Sequence, residues 1–118
     1  MTKLDEALSS LMRHDGVEHL VLAGADGLLV HHLGEGVGVD GERVAAMLPG
    51  LVRAADDFGD GCGAGAAATV VLELERGVAI GMPLSSDLLL AVVLRPGVPF
   101  TALLREVRRD RDRIAALV

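Results

Sequence analysis

The stretch DLLLAVVL, residues 87–94, is apolar at every position after Asp87. A strand without a polar side has no face that it can present to water, so both of its faces must be covered. Such a strand belongs in the centre of a sheet, with helices above and below it. This one segment therefore predicts an α/β layer architecture.

Four further strands follow from short apolar runs between turn residues. Residues 18–24 and 28–33 flank Gly24-Ala25-Asp26-Gly27, and Asp-Gly between two apolar runs is a strong hairpin signal because both residues tolerate positive φ. Residues 68–77 and 78–85 are separated by a tight turn at Arg76-Gly77. The strand at 68–77 alternates apolar and polar residues, which is typical of a half-exposed strand near a sheet edge.

Helical spacing of apolar residues predicts three helices, over 2–14, 40–58 and 100–118. Asp40 is a suitable cap for the second helix. Pro49-Gly50 lies inside that helix, and a proline there removes one backbone hydrogen bond and presses its ring on the preceding turn. We therefore expect a kink or a break at this point.

The elements follow one another as α-β-β-α-β-β-β-α. Short connections between successive strands favour antiparallel neighbours. The sequence thus predicts an α/β fold of one domain, residues 1–118, with a five-stranded antiparallel sheet and helices on both faces.

Charge and cysteine content exclude several classes of protein. The formal net charge is −6, so the summed field repels nucleic acid and anionic lipid. Cys62 is the single cysteine, which leaves no intrachain disulfide and too few thiols for a structural zinc site. The N-terminal residues lack the pattern of a signal peptide, and no apolar run has membrane-spanning length. We expect a cytoplasmic protein with no nucleic-acid partner and no membrane insertion.

The segment FGDGCGAGAAATVVLELE, residues 58–75, contains Gly59-Asp60-Gly61-Cys62-Gly63-Ala64, which has the G-x-G-x-x-A spacing of a dinucleotide-binding loop. Such a loop works between a preceding strand and a following helix, whose N-terminus binds the pyrophosphate. Here a helix precedes the glycines and a strand follows them. The order indicates a flexible connector, and we predict no nucleotide or other cofactor.

Other chemistry-bearing residues do not form a recognisable catalytic or metal site. Adjacent histidines on a strand point to opposite faces, and neighbouring acids at a helix end are usually solvated. The candidates weighed in this way are His14, His19, His31, His32, Cys62, Ser85-Ser86-Asp87, Asp56, Asp57 and Asp60. We interpret the histidines as surface and strand-end residues, and we predict no catalytic residue and no metal ligand.

Two features favour self-association instead. An edge strand at 68–77 exposes unpaired N–H and C=O groups, which a second copy of the chain can satisfy. The second helix carries the small residues Ala46, Gly50 and Ala54 on its other side, which suits the approach of another helix. The alternative is that this is an ordinary surface helix.

Three strings carry a resemblance to a known family. LVLAGADGLLVHHL (20–33) resembles the first hairpin of the roadblock/dynein light chain family, and RVAAMLPGLVRAADDFG (43–59) is similar to its middle helix. LLLAVVLRPGVPFTALLREVRR (88–109) is similar to its central strand, turn and last helix. The resemblance covers nearly the whole chain. The proline-glycine pair inside the middle helix and the compact glycine loop after it depart from the family's pattern.

The resemblance implies a profilin-like layer and dimers, with the same chain or a relative, whose sheets join through the third strand (68–76 here) and whose middle helices lie side by side. On this basis we assign a dimer interface to Val44, Met47, Leu51, Thr69, Val71 and Glu73.

The bacterial members that this chain resembles include the MglB-type proteins, which regulate small Ras-like GTPases. The resemblance therefore implies a non-enzymatic module with an MglA-like GTPase as its partner, in which the GTPase holds the nucleotide. Activation of hydrolysis, promotion of exchange and scaffolding all stay open. We assign partner binding to Glu42, Arg43, Ala46, Arg53 and Asp57.

Three alternatives to a GTPase-linked module stay open. A small-molecule sensor needs a cavity beside the sheet, for which the small residues Ala79 and Gly81 leave room. A nucleotide-independent scaffold needs no cavity. An enzyme that uses Cys62 or the histidines needs polar groups that converge in a cleft.

Overall fold

A computed structural model describes residues 2–35 and 38–117, and it has the predicted order of elements. The elements are α1 (Lys3–Met12), β1 (Val17–Gly24), β2 (Leu29–Leu33), α2 (Gly41–Gly61), β3 (Val70–Leu74), β4 (Gly77–Pro83), β5 (Leu88–Leu94) and α3 (Thr101–Ala116). The strands form one antiparallel sheet in the order β2-β1-β5-β4-β3. The predicted α/β fold class is confirmed. The predicted domain also includes Met1, Gly36, Val37 and Val118, which lie outside the described residues.

The prediction that the apolar strand at 87–94 is central is confirmed. β5 pairs with β1 on one side and with β4 on the other. Its side chains alternate between two separate cores, with Leu90 and Val92 in one and Leu89 and Ala91 in the other. The strand lacks a polar face because both of its faces are interior.

The two cores are covered by different helices. The larger core joins α1 and α3 to one face of the sheet, and the smaller core joins α2 to the opposite face. Thr2 caps α1 in a capping box with Asp5, and Asp40 caps α2 by accepting the Arg43 backbone N–H. The helices contribute these buried residues: Leu4, Ala7, Leu8 and Leu11 from α1, Ala45, Leu48 and Val52 from α2, and Leu103, Val107 and Ile114 from α3.

The predicted hairpin between β1 and β2 is present, with a turn over residues 24–27. Gly27 has φ of +84° and the Asp26 side chain accepts the Leu28 N–H, whereas Asp26 itself does not have positive φ. Only one of the two turn residues therefore uses the left-handed region. Gly27 also lies against the Ala46 backbone of α2, where a Cβ would be 3.4 Å from the Ala46 Cα. The glycine thus serves both the turn and the contact with the helix.

The predicted break at Pro49-Gly50 is wrong, because α2 is helical through both residues. Pro49 has no N–H to donate to the Ala45 carbonyl, so one hydrogen bond is missing. Ala45, Leu48 and Val52 are buried against the sheet on both sides of the proline, and this packing holds the helix together across the missing bond. A kink at this position stays a prediction.

The helix also continues beyond its predicted end at residue 58, through Gly59 and Gly61. The following loop supplies the reason. Its N–H groups donate to the last carbonyls of α2, with Gly63 in the left-handed conformation (φ +72°) that commonly ends a helix. The third strand is correspondingly shorter than its predicted range of 68–77.

A substitution at Leu90 tests how strongly the stability of the fold depends on the central strand. We expect Leu90→Ala to lower the free energy of unfolding by about 2 to 5 kcal/mol, because the side chain is fully buried and the substitution leaves a cavity. Leu28→Ala is the matched control, since Leu28 is exposed and its loss costs about 0.5 kcal/mol or less. Urea unfolding followed by circular dichroism measures both, and equal losses would contradict the assignment of the core to β5.

Candidate functional site

A groove lies between α2 and the β3 side of the sheet. α2 packs on β1 and β5 through Val21, Ala23, Leu89 and Ala91. Its Leu48 and Leu51 reach Gly81 of β4, and the same face of β3 is left uncovered. The space has a volume of about 760 Å³. Small residues make up its floor, and larger apolar side chains from α2 and β3 form its walls. The floor residues are Ala79, Gly81 and Ala91, and the wall residues include Val44, Met47, Leu51, Leu72 and Leu74.

The walls of this groove are strongly apolar and exposed. Met47 and Leu74 have 63% and 58% of their surface accessible to solvent. Phe58, at the C-terminal end of α2, is 78% exposed beside a second apolar hollow of about 600 Å³ that Leu51 and residues 69–71 also line. We call this whole region, formed by Val44, Met47, Leu51, Phe58, Leu72 and Leu74, the α2–β3 surface. Contiguous exposed apolar surface of this kind marks an interaction site.

The α2–β3 surface reaches the edge of the sheet. β3 is the last strand in the sheet order, as its alternating sequence predicts, and only its β4 side is paired within the described chain. Leu72 and Leu74 pair with Ala79 and Gly77, so they face the groove. An apolar helix face and an unpaired strand edge therefore lie side by side.

The structure divides the predicted interface residues between two faces of the sheet. Val44, Met47 and Leu51 line the groove. Val71 and Glu73 pair with Ile80 and Val78, which belong to the core on the α1 and α3 side, so these two residues point away from the groove. Thr69 precedes β3 and accepts a hydrogen bond from the Arg108 guanidinium at 3.3 Å. Residues 71 and 73 thus lie along the free edge in register with the opposite face from the helix, and Thr69 and Val71 also border the hollow beside Phe58.

Sequence reasoning missed Leu72, Leu74 and Phe58. The signal was available in the alternation of β3, because once Val71 and Glu73 are placed on one face, Leu72 and Leu74 must share the other. The helical spacing groups Phe58 with the other apolar residues of α2, but Phe58 lies beyond Val52, the last buried residue of that helix, and is exposed.

The five predicted partner-binding residues are all exposed on α2. Glu42, Ala46, Arg53 and Asp57 follow one another at intervals of four, seven and four residues, which places them on one stripe. This stripe adjoins the helix face that carries Met47 and Leu51, because Ala46 also lines the groove. Within residues 2–35 and 38–117, neither Arg43 nor Arg53 has a carboxylate within 4.0 Å. The charges of this stripe are thus available to a partner.

The glycine-rich segment folds back on the end of α2. The N–H groups of Ala64 and Gly65 donate to the Gly59 carbonyl at 2.8 and 3.2 Å, and the Ala67 N–H donates to the Asp56 carboxylate at 2.7 Å. The Gly65 carbonyl occupies the space that a Cβ on Gly59 would need, so only glycine fits there. A phosphate-binding loop presents free N–H groups, whereas these three have protein acceptors. The segment serves as a helix cap and a connection to β3.

His19 and His32 form a pair under the start of α2. Their Nδ1 and Nε2 atoms are 3.1 Å apart, and each ring lies against a glycine, Gly34 and Gly41 respectively. Burial lowers the pKa of His19 below its ordinary value of 6.5, the nearby His32 lowers it further, and Glu18 acts in the opposite direction. The interpretation of His19 as a surface residue is wrong, because the strand start at which it lies is covered by the N-terminal turn of α2.

In the described part of the chain, no three side chains of histidine, cysteine, aspartate or glutamate come together as metal ligands would. None of the helices there combines the length and the apolar character needed to cross a bilayer.

Comparison with known proteins gives a consistent family. The family model described as Roadblock/LC7 domain matches residues 3–94. The chain is similar to a solved structure described as "MglB with tetrameric arrangement", with a TM-score of 0.86 at 16% identity, covering 98% of this chain and 87% of that one. Myxococcus xanthus MglB gives a TM-score of 0.85 at 16% identity, covering 98% and 94%.

A Roadblock/LC7 domain from Streptomyces avermitilis is also similar, with a TM-score of 0.73 at 23% identity, covering 92% of this chain and 88% of that one. Comparison with curated protein sequences gives no match. At such identities the structural likeness establishes the fold.

The histidine pair makes stability depend on pH. Because the pKa of His19 is lowered in the folded chain, the unfolded chain binds more protons just below pH 6.5. The contribution of His19 to the free energy of unfolding is therefore fully present above pH 6.5. It decreases as the pH falls from 6.5 toward the lowered pKa of the folded chain. We expect His19→Gln to weaken the decline of the urea midpoint as the pH falls below 6.5. Equal declines in the wild type and the variant would contradict this assignment.

Proposed function

Since the chain belongs to the Roadblock/LC7 domain family, we propose that it is a non-enzymatic module that forms a homodimer and regulates or scaffolds a small Ras-like GTPase. The observation that carries the proposal is the α2–β3 surface, where an exposed apolar helix face adjoins an unpaired strand edge. A surface of this kind suits a protein partner. The order of α2 before the glycines also argues for a nucleotide bound by the partner rather than by this chain.

A second copy of the chain is the partner that fits this surface best. In a two-fold arrangement the β3 strands pair antiparallel, which satisfies the free N–H and C=O groups of both edges. The same axis brings the two α2 helices together, so that Met47 and Leu74 of each copy leave water. One of the structural neighbours is described as an MglB in a tetrameric arrangement, which supports self-association.

The faces of β3 refine the proposed interface. Leu72 and Leu74 join Val44, Met47 and Leu51 in the apolar contact between helices and sheet. Thr69, Val71 and Glu73 flank the joined strands on the opposite face. They contribute through backbone pairing and cross-strand neighbours rather than through helix packing.

The GTPase partner is proposed to bind the charged stripe of α2. All five residues of this set, Glu42, Arg43, Ala46, Arg53 and Asp57, are exposed. Glu42, Arg53 and Asp57 lie outside the lining of the groove and so stay accessible in the proposed dimer, whereas Arg43 and Ala46 border the groove. Mixed charge around a small residue suits a polar, exchangeable contact. The similarity to MglB structures favours a GTPase as the occupant.

Regulation would then follow from differential binding. The switch segments of a GTPase differ in order between its GTP and GDP states, so a module that prefers one arrangement shifts the population toward it. A direct catalytic contribution from Arg43 or Arg53 would be an additional effect. Replacing either by lysine would then lower GTP hydrolysis by about 10³-fold or more, whereas scaffolding leaves the rate unchanged.

A small-molecule sensor is the second candidate, favoured by one observation. The groove of about 760 Å³ has the size of a ligand site, and Ala79 and Gly81, whose small size leaves room for a cavity, form part of its floor. A thermal-shift screen on the dimer separates the two functions. A ligand that raises the unfolding temperature would favour a sensor, whereas a groove filled by the second copy leaves no such ligand to be found.

We expect Met47→Glu to convert the dimer to a monomer. The carboxylate would be buried without a partner, so the dissociation constant rises on the order of a hundredfold. Sedimentation velocity measures the mass, and circular dichroism shows that the variant folds. Ala102→Glu is the matched control, because it adds the same charge at an exposed position of α3. We expect this variant to remain dimeric. A monomeric wild type, or a Met47 variant that remains dimeric, would refute this interface.

The GTPase proposal is tested by retention on beads that carry the purified protein. A lysate of the source cells is loaded with GDP or with a non-hydrolysable GTP analogue, and bound proteins are identified by mass spectrometry. We expect a small GTPase whose retention differs by about tenfold or more between the two states. Arg53→Glu reduces retention, and Arg105→Glu on α3 leaves it unchanged. Equal retention in both states would instead support a nucleotide-independent scaffold.

A further inference from the structure

The sheet has a second free edge, which the proposed dimer does not use. β2 is the first strand in the sheet order, and in the described chain it pairs only with β1. The approach to this edge is apolar. Leu28 is 68% exposed, Leu29 36% and Val30 44%, which makes three consecutive apolar residues in solvent.

A bulge in the hairpin explains why Val30 projects. Leu22 pairs with His31 and Ala23 pairs with Leu29, so Val30 is an extra residue with no partner on β1. A bulge re-aims a side chain and interrupts the ladder. Beyond it, His31, His32 and Leu33 resume regular pairing with β1, which leaves their outer side available to another strand. The edge therefore offers apolar side chains at one end and strand backbone at the other.

Charge is concentrated at the two ends of this edge rather than on it. Asp26 is in the hairpin turn, and Asp87 is beside it because the Ala25 N–H donates to the Asp87 carbonyl at 2.8 Å. At the other end, Glu35 follows the strand, and the backbone carbonyl of Glu18 lies beside Gly34. All four carboxylates belong to exposed residues. Natural sheets usually protect an edge by placing charges, often lysine, on the strand itself.

We propose that β2 binds an extended segment of a partner protein, with apolar residues at its centre and lysine or arginine at both ends. The apolar centre covers Leu28, Leu29 and Val30, and its backbone extends the sheet along residues 31–33. The basic ends meet the carboxylates at Asp26 and Asp87 and at Glu18 and Glu35.

The charge pattern disfavours a second copy as the occupant. Two antiparallel β2 strands would place the turn end of one copy against the Glu35 end of the other, so that carboxylates oppose carboxylates. The edge therefore selects a basic partner segment over self-association. It is also remote from the α2–β3 surface, because β2 and β3 are at opposite edges of the sheet.

The test is a selection from a random dodecapeptide library displayed on phage, with the purified protein as target. We expect enriched peptides with a central run of apolar residues and basic residues on both sides. A synthetic peptide of the enriched sequence should shift the amide resonances of residues 29–33 in the nitrogen-15 spectrum. Val30→Lys should weaken its binding by about tenfold or more, because the charge opposes both the apolar contact and the basic ends.

Met47→Glu is the control, since it lies on the α2–β3 surface and should bind the peptide as the wild type does. This control also separates the present proposal from the dimer, because the Met47 variant reports on self-association alone. The proposal would be overturned if the selection enriched no peptides or enriched acidic ones. It would also be overturned if the Val30 variant bound the peptide as tightly as the wild type, or if the resonance shifts were confined to β3. A fall in the sedimenting mass of Val30→Lys would overturn it in favour of a second copy.

Discussion

The burial of β5 on both faces is the interaction on which the rest of the structure depends. Leu90, Val92 and Leu94 pack under α1 and α3, while Leu89 and Ala91 pack under α2. A strand with two apolar faces cannot be satisfied by one layer of helices, so the chain must supply helices on both sides. β1 and β4 then flank β5, and the two remaining strands are left as edges.

The uneven cover of the sheet follows from side-chain size. On the α1 and α3 face, large residues such as Ile80 and Met82 fill the space between sheet and helices. On the α2 face, Leu48 and Leu51 of α2 lie over Gly81 of β4, and the small residues Ala79 and Gly81 leave space between the helix and β3. The same small residues thus open the groove and expose Leu72 and Leu74. The α2–β3 surface is thus a consequence of how the core is packed on one side.

Much of this architecture was predictable from the sequence. Local patterns of two to eight residues predict the central strand, the alternation of the edge strand and the Asp-Gly hairpin. All three features are present in the structure. The prediction failed where tertiary packing outweighed a local signal. Pro49 does not break α2 because buried residues on both sides hold the helix to the sheet, and Gly59 and Gly61 stay helical because the following loop supplies hydrogen bonds to the helix end.

The sequence by itself determined the order of elements, the central position of residues 88–94 and the edge position of the third strand, because each follows from the periodicity of neighbouring side chains. Only the tertiary structure decided which apolar residues stay in water. Phe58 and Leu74 differ little from core residues in the sequence, and the position of α2 across the sheet leaves them exposed. The pairing of His19 with His32 was decided in the same way, because strand register brings together residues that are distant along the chain. Exposure and long-range contact depend on how whole layers pack, which no local pattern specifies.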